Sequence, residues 1–146
     1  MPMKKYEFRS DIAISDSAFY AYGKNYEELF ENACLAVTDA MVELDKIEEK
    51  TKERITVKAP YMEDLLYNVL EEVVYLKDAK QLVFHNFSVR NLKNDPQDCQ
   101  VTLVMEGEKI DRKKHEAHAD VKAITYLDYG IQKTKDGFRA SVILDV

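Results

Sequence analysis

The chain has 146 residues, of which 46% are hydrophobic and 33% charged, with only 4 Gly and 3 Pro. This composition is typical of a globular protein that buries about two-thirds of its unfolded surface in one core, and it leaves little room for linkers. A formal charge of -6 repels phosphate backbones, so strong nucleic-acid binding requires a local basic patch. We therefore expect a single domain over residues 1–146.

The ends of the chain and its cysteines bear on where the protein resides. The apolar runs are far shorter than the ~20 residues that a membrane helix needs. Met1–Lys5 leads into a polar stretch rather than the apolar segment of a secretory signal. Cys34 and Cys99 lack metal-ligand spacing and are interpreted as reduced thiols. These features predict a cytoplasmic protein with no membrane partner.

The first elements predicted along the chain are a strand and a helix. Residues 17–23 are rich in aromatic side chains and end on a glycine, as strands that stop at a turn do. Asn25 occupies the position of an N-cap, with Glu28 three residues later, which is a variant of the capping box. Apolar residues then recur at helical spacing, so the pattern predicts a helix from Tyr26 to Leu44.

A short strand and a second helix follow. Ile55, Val57 and Ala59 alternate with polar residues and precede Pro60, which is typical of a strand with one solvated face. Residues 65–76 carry a broad apolar stripe, which is interpreted as core in preference to a docking surface. The start and the outer face of this helix are assigned to four acidic residues: Glu63, Asp64, Glu71 and Glu72.

From Gln81 onward the hydrophobic period changes to two, which indicates strands. In the first of them, alternation assigns even and odd positions of residues 82–89 to opposite faces. Turn residues at 94–98 separate this segment from residues 101–107, where the alternation resumes. The two segments predict a hairpin.

The last part of the chain predicts two more strands. Residues 121–126 are extended in character, and Asp136-Gly137 predicts a turn into a final strand over residues 138–144. The order of elements predicts an α+β domain of two layers, with both helices packed on one face of a mixed, mostly antiparallel sheet.

The basic and histidine-containing segments do not form an evident active site. The run Lys109–Lys114 is diluted by acidic residues, so a solvated loop is favoured over direct contact with RNA. His115 and His118 have the i, i+3 spacing of a ligand pair, but no third ligand accompanies them. His85 alternates with apolar neighbours and is interpreted as structural. The sequence has no Ser-His-Asp or Cys-His order, phosphate-binding Gly loop or HExxH helix.

The carboxyl end carries two anionic groups next to each other. Asp145 precedes Val146, whose free carboxylate adds a second set of anionic oxygens. Hard cations such as calcium prefer such ligands, so this pair is half of a cation site. Asp16 is a candidate for the third carboxylate if the first aromatic strand lies beside the last strand. The alternative is that Asp145 and Val146 form a frayed polar tail.

Four short motifs are distributed from one end of the chain to the other. They occupy Asp16–Gly23, Glu27–Ala33, Val121–Tyr126 and Val142–Val146, and the pairs Gly107-Glu108 and His115-Glu116 precede the third. In order and spacing they resemble the archease family, which has a D-x-[GA]-x-x-A-x-G stretch, an E-E-x-F-x-x-A helix, a V-K-A-[IV]-T-[YF] signature and a V-x-x-D-[IVL] terminus.

The resemblance implies an accessory protein rather than an enzyme. Its expected partner is the RtcB-type tRNA-splicing RNA ligase, which it activates by promoting guanylylation and multiple turnover. The GTP, the ligase metal and the nucleophilic histidine belong to the ligase, and tRNA is contacted only through it. The resemblance also implies a divalent cation, calcium or else magnesium, held by Asp16, Asp145 and the carboxylate of Val146. It assigns a role in activation to Lys122.

The chain departs from the family pattern in two places. The family reads H-T-A-D-I where this chain has Ala13–Ser17, so that only Asp16 is retained, and Asp11 competes for its role. Leu127 replaces the histidine that follows the family signature. The resemblance therefore carries no function of those histidines over to this chain, whereas the carboxylate pair is intact.

Two other functions are compatible with the sequence. The same carboxylates would suit a metal-dependent hydrolase or phosphotransferase, since hard-cation sites activate water and polarise phosphates. The lack of a base or nucleophile near them argues against this function. A chaperone-like module for nucleic-acid enzymes is the other alternative, and general suppression of aggregation would distinguish it.

Overall fold

The computed structural model describes residues 4–9, 16–115 and 117–146, with the backbone alone for Asp16. Within these ranges the chain forms seven strands, two α-helices and a short 3₁₀-helix. In chain order they are β1 (Tyr6–Phe8), β2 (Asp16–Gly23), α1 (Tyr26–Met41), the 3₁₀-helix (Leu44–Lys46), β3 (Thr51–Ala59), α2 (Met62–Lys80), β4 (Leu82–Asp95), β5 (Asp98–Lys109), β6 (Ala123–Thr134) and β7 (Gly137–Asp145).

The described strands are divided between two sheets. One has the order β1-β2-β7-β6 and is called the terminal sheet here; the other has the order β3-β5-β4 and is called the internal sheet. Every pairing among the described strands is antiparallel. The predicted α+β class is confirmed, but the single mixed sheet is replaced by two antiparallel ones. Helix α2 connects β3 to β4, which run in the same direction, and β5 inserts between them, so no parallel pairing arises.

Helix α1 begins as predicted and ends three residues early. The side chain of Asn25 accepts a hydrogen bond from the Glu28 N–H at 2.9 Å, which is the expected N-cap. Glu28 itself accepts from the N–H of Lys24 at 3.3 Å, rather than from that of the cap residue. Val42 turns into extended backbone and bridges Ala117, so a segment distant in sequence stops the helix before Leu44.

Helix α2 contains the predicted apolar stripe, and its buried residues include Leu65, Leu66, Val69, Leu70, Val73 and Leu76. It ends at Gln81, which adopts the left-handed conformation common at helix C-termini, with φ 57°. The helix contacts both sheets through β3, β4, β5 and β6, and α1 packs beside it. The stripe is therefore core, as predicted. In the described part of the chain no helix has the length and apolarity to cross a membrane.

The β4–β5 hairpin is present, but its first strand, β4, does not alternate as predicted. The register shifts between Phe84 and Asn86, and again between Val89 and Asn91. Leu82, Val83 and Phe84 are consecutive and all buried, so both faces of β4 are covered at its start. The first irregularity, after Phe84, then places Phe87 in the core and leaves Asn86 exposed. Opposite it, a Cβ on Gly107 would overlap the carbonyl oxygen of Val83, so the close approach of these strands requires glycine.

The β6–β7 hairpin forms the carboxyl-terminal part of the terminal sheet. Strand β6 begins at Ala123, two residues later than predicted, and runs on to Thr134. The turn comprises residues 135–136, so Gly137 is the first residue of β7 and pairs with Thr134. Its φ of +149° and the proximity of the Gly23 carbonyl exclude a side chain at this position.

Candidate functional site at the strand ends

The predicted cation ligands come from the ends of two neighbouring strands. Asp16 is the first residue of β2 and Asp145 the last of β7, and the register pairs them directly. The Cα atoms of residues paired in this way lie about 4.5–5.5 Å apart. On the other side of β7, Ala123 of β6 pairs with Asp145. The expectation that the aromatic strand lies beside the last strand is therefore confirmed.

Lys122 reaches the same end of the sheet. Its backbone N–H donates to the carbonyl oxygen of Asp145 at 2.8 Å, and its side chain is exposed. Asp145 is also exposed, whereas Val146 is partly buried against the core. The fold thus brings together residues that the sequence separates by more than a hundred positions. We call Asp16, Lys122, Asp145 and Val146 the strand-end site.

Side chains of α2 hold the backbone around Lys122 in place. The ammonium group of Lys77 donates to the carbonyl of Val121 at 2.7 Å, and the hydroxyl of Tyr67 donates to that of Ile124 at 2.6 Å. The N–H of Ile124 donates to the carboxylate of Glu71 at 3.2 Å. These bonds satisfy backbone groups where β6 begins and fix the origin of the exposed Lys122 side chain.

Sequence reasoning missed this support. It placed Glu71 on the outer, solvated face of α2, and that assignment is wrong because its carboxylate accepts the backbone N–H of Ile124. Glu63 is exposed in the first turn of α2, as predicted, and its carboxylate also accepts a backbone N–H of β6. Glu63 accepts from Ile131 at 2.8 Å. A weak signal was available, since the polar Tyr67 and Glu71 are one helical turn apart beside the apolar stripe.

The donor set at the strand ends fits a hard cation in its chemistry. The ligands offered by Asp16, Asp145 and the terminal carboxylate of Val146 are all oxygen atoms. Calcium and magnesium prefer oxygen ligands, whereas zinc favours nitrogen and sulfur. Among the side chains that the structure describes, no group of three or more His, Cys, Asp and Glu residues is positioned to hold a metal ion. Asp11, the competing residue, lies outside the described residues.

A second cluster is built on Glu108, the acid of the Gly-Glu pair. Its carboxylate accepts hydrogen bonds from the backbone N–H of Glu48 at 2.6 Å and from the ammonium group of Lys114 at 2.8 Å. The Nε2 atom of His115 lies 3.2 Å away. Burial alone would raise the pKa of Glu108, but these three hydrogen bonds outweigh it and lower the pKa to about 2. We call this cluster the Glu108 clasp.

The two histidines of the i, i+3 pair make different structural hydrogen bonds. The Nδ1 atom of the buried His115 accepts from the N–H of Asp111 at 2.8 Å, which leaves Nε2 protonated and directed to Glu108. His118 donates from Nδ1 to the carbonyl of Asp39 at 2.7 Å, at the end of α1. This bond, with the nearby carboxylate of Glu43, raises the pKa of His118.

The basic run Lys109–Lys114 is divided by the same cluster. Lys114 is held between Glu108 and Glu48, at 2.8 and 2.9 Å, and so is not available to a partner. Lys109, Arg112 and Lys113 are exposed. The run is thus an anchored loop that connects the internal sheet to the terminal sheet. Burial of Cys34 and Cys99 as free thiols agrees with their interpretation as reduced residues.

Fold and site together define a class of small α+β proteins. Their last strand ends between an early aromatic strand and a strand that begins within a V-K-A-I-T-Y segment. The chain belongs to the archease family, because the model of the archease protein family (MTH1598/TM1083) matches residues 6–146. The archease of Methanosarcina barkeri is 38% identical over 143 residues, which is 98% of this chain and 97% of that protein.

Other relatives are similar over the same length. The archease of Pyrococcus furiosus is 40% identical over 144 residues, covering 97% of this chain and 96% of that protein. The solution structure of protein 1598 of Methanobacterium thermoautotrophicum has a TM-score of 0.82 with 30% identity. It covers 99% of this chain, and all of that chain is matched. The whole chain, and not only its signature segment, therefore carries the family likeness.

Proposed function

We propose that this protein activates an RtcB-type tRNA-splicing RNA ligase by promoting guanylylation of the ligase histidine. In that reaction the histidine attacks the α-phosphate of GTP and pyrophosphate leaves. The protein acts as an accessory factor and supplies neither the nucleophile nor the nucleotide. Membership of the archease family supports this function.

The arrangement around Lys122 is the observation that carries the proposal. Its backbone is fixed by Asp145 and by neighbouring bonds from α2, while its side chain is exposed and makes no ion pair with a described residue. A lysine presented in this way brings a point charge to a phosphate or carboxylate of another molecule, and only its side chain, not its backbone, has to be ordered on contact. The ligase, which holds GTP, contains such groups.

The proposed cation has a supporting role. Asp16, Asp145 and the carboxylate of Val146 would hold it, and it would neutralise three negative charges that otherwise repel one another. Bound there, it would supply charge balance and order at the ends of β2 and β7. The ligase would then meet a fixed surface on which the positive charge of Lys122 is not cancelled by the neighbouring acids.

A guanylylation assay with purified ligase and radiolabelled GTP tests the function. We expect this protein, at substoichiometric concentration, to increase the rate of ligase-guanylate formation and the number of ligation turnovers. The protein alone is assayed in parallel for phosphatase and nuclease activity. Equal rates of guanylylation with and without it would refute the proposal, and turnover by the protein alone would favour the hydrolase alternative.

A further inference from the structure

The outer face of the internal sheet carries a group of cations that the linear sequence does not reveal. In β3, Ile55, Val57 and Ala59 pack against the core, so the alternating residues face away from it. The four outward positions of this strand are all exposed. Lys52, Arg54 and Lys58 are cationic, and Thr56 is neutral.

The rest of this face is mostly polar, with one acidic residue, Glu106, and one apolar residue, Val104. In register with the outward residues of β3 lie Glu106, Val104, Thr102 and Gln100 of β5, and beyond them Asn86, Ser88, Asn91 and Lys93 of β4. Arg90, at the second irregularity of β4, is also exposed. Val104 lies beside Arg54 and is only 6% exposed, because the stem of a long cationic side chain commonly covers apolar surface. Thr102 lies beside Thr56 and is also 6% exposed.

The cations at the centre of this face outnumber the described acids beside them. Among those acids only Glu106, opposite Lys52, and Asp98, which interacts electrostatically with Lys58, lie close to them. Lys52, Arg54, Lys58 and Arg90 make no ion pair within 4.0 Å with any described residue. Lys93, at the edge, is already paired with Asp98 at 2.7 Å. A protein with a formal charge of -6 therefore concentrates unpaired positive charge on one sheet face.

The spacing of these charges suits a phosphate backbone. Alternate residues of a strand are about 6.6 Å apart, so the cations from Lys52 to Lys58 extend over roughly 20 Å. One strand of B-form DNA advances about 3.4 Å along the helix axis for each phosphate, so on that scale this length passes about six phosphates. Hydroxyl and amide groups of Thr56, Asn91 and Gln100 add the neutral donors that commonly contact phosphates.

The chemistry favours a nucleic acid over an acidic protein surface. A protein interface has at its centre a cluster of exposed aromatic or aliphatic side chains. The described residues of this face offer none, since the exposed large apolar side chains of the molecule, such as Tyr61 and Tyr126, lie elsewhere. The lack of aromatic side chains also argues against base stacking and for contact with phosphates.

We propose that the outer face of the internal sheet binds the phosphate backbone of RNA, with Lys52, Arg54 and Lys58 as the principal contacts. The interaction is weak and independent of base sequence, because the rest of the protein is acidic and the face carries no base-reading arrangement. It is direct, in addition to any contact through the ligase. It does not depend on the function of the strand-end site.

The test is a comparison of two variants that lose the same charge. In the first variant, glutamine replaces Lys52, Arg54 and Lys58. In the second, glutamine replaces three exposed cations at the end of β5 and in the loop after it: Lys109, Arg112 and Lys113. Binding of a fluorescent 20-nucleotide oligouridine and of an RNA hairpin is measured by anisotropy from low to moderate salt. Circular dichroism and thermal melting establish that both variants fold.

We expect the native protein to bind both RNAs with an affinity that falls steeply with salt. The sheet-face variant should lose about tenfold or more, and the slope of log K against log salt should decrease by about 2, since three phosphate contacts are removed. The loop variant should retain the native affinity within about a factor of two. Polyglutamate at the same charge concentration should compete poorly.

Four results would overturn the proposal. Equal losses in the two variants would mean that net charge alone governs binding. Absence of native binding at low salt, or effective competition by polyglutamate, would mean that the face has no preference for phosphates. Unchanged RNA affinity with a loss of solubility in the sheet-face variant would mean that the cations only prevent association through an exposed strand.

Discussion

The strand-end site and the outer face of the internal sheet differ in how the fold assembles them. The strand-end site collects residues from β2, β7 and the segment before β6, and its groups meet because those strands end together. The sheet face instead collects alternate residues of β3 and of the neighbouring strands. One site is predominantly acidic and compact, and the other is basic and extended.

This difference explains why a motif revealed one site and not the other. The signature segment and the carboxyl terminus are contiguous stretches, so their residues are recognisable by order and spacing. The cations of the sheet face are separated by inward-facing apolar or acidic residues such as Glu53 and Ile55, and no continuous basic run marks them. The run that does stand out, Lys109–Lys114, is partly occupied by the Glu108 clasp.

The largest effect expected from a single substitution is at Lys122. Lys122→Ala should reduce stimulation of guanylylation to the background of the ligase alone, roughly a hundredfold loss. The melting temperature should change by less than about 2 °C, because the side chain is exposed and only its backbone is bonded. RNA affinity should remain native, which would separate the two sites.

The matched control is Lys135→Ala, which removes an exposed lysine in the turn between β6 and β7. It should leave stimulation unchanged. A folded Lys122→Ala protein with full stimulation would assign Lys122 to the solvated surface and remove the main support for the strand-end site. A loss of stimulation in both variants would indicate a general effect of charge.

Much of the fold was accessible from the sequence because local signals and the tertiary structure agree. The cap at Asn25, the apolar stripe of α2 and the turn residues before β5 each predict an element that is present. The disagreements occur where a distant segment intervenes. Ala117 stops α1 at Met41, and the irregularity near Phe84 interrupts the alternation of β4.

The candidate site was accessible to a similar extent. Adjacency of the strands that carry Asp16 and Asp145 was expected and is confirmed. The role of Glu71 in holding β6 was not predicted, because a glutamate on a helix is ordinarily solvated and its partner is a backbone N–H from elsewhere in the chain. The Glu108 clasp was likewise not predicted, although its Gly-Glu and His-Glu pairs had been noticed as motifs.

The Glu108 clasp joins the two regions, since its loop connects β5 to β6. The pKa of the Glu108 carboxyl is about 2, against an ordinary 4.5, so the folded state favours its ionised form. The resulting stability, about 3 kcal/mol at most, is present above pH 4.5 and is lost as the pH falls from there towards 2. Glu108→Gln should lower stability at pH 7 and flatten this acid dependence.

Chemical denaturation between pH 3 and pH 7 measures the free energy of unfolding at pH 7 and its dependence on pH. Glu106→Gln is the control, since it removes the same charge two residues earlier in β5, where the carboxylate bonds only to the exposed Asn86 at 3.4 Å among the described residues. If Glu108→Gln and Glu106→Gln gave the same pH profile, the clasp would not be a source of stability.

The smallest and most specific effect is expected at the terminal carboxylate. A semisynthetic protein that ends in a Val146 amide loses one negative charge and no side-chain contact. If this carboxylate is a ligand, calcium affinity measured by calorimetry should fall by about tenfold or more, because both charge and a coordinating oxygen are lost. Asp145→Asn should act similarly, and Asp16→Ala should weaken binding at least as much.

The control for the amide is Asp136→Asn, which removes one exposed carboxylate from the β6–β7 turn and should leave calcium affinity unchanged. Val146 is partly buried against the core, so the melting temperature of the amide must be compared with that of the native protein before affinities are interpreted. Calcium binding as tight as in the native protein would show that the terminal carboxylate is not a ligand. Its place would then fall to another acid, with Asp11 the first to be tested, and the strand-end site would consist of side chains alone.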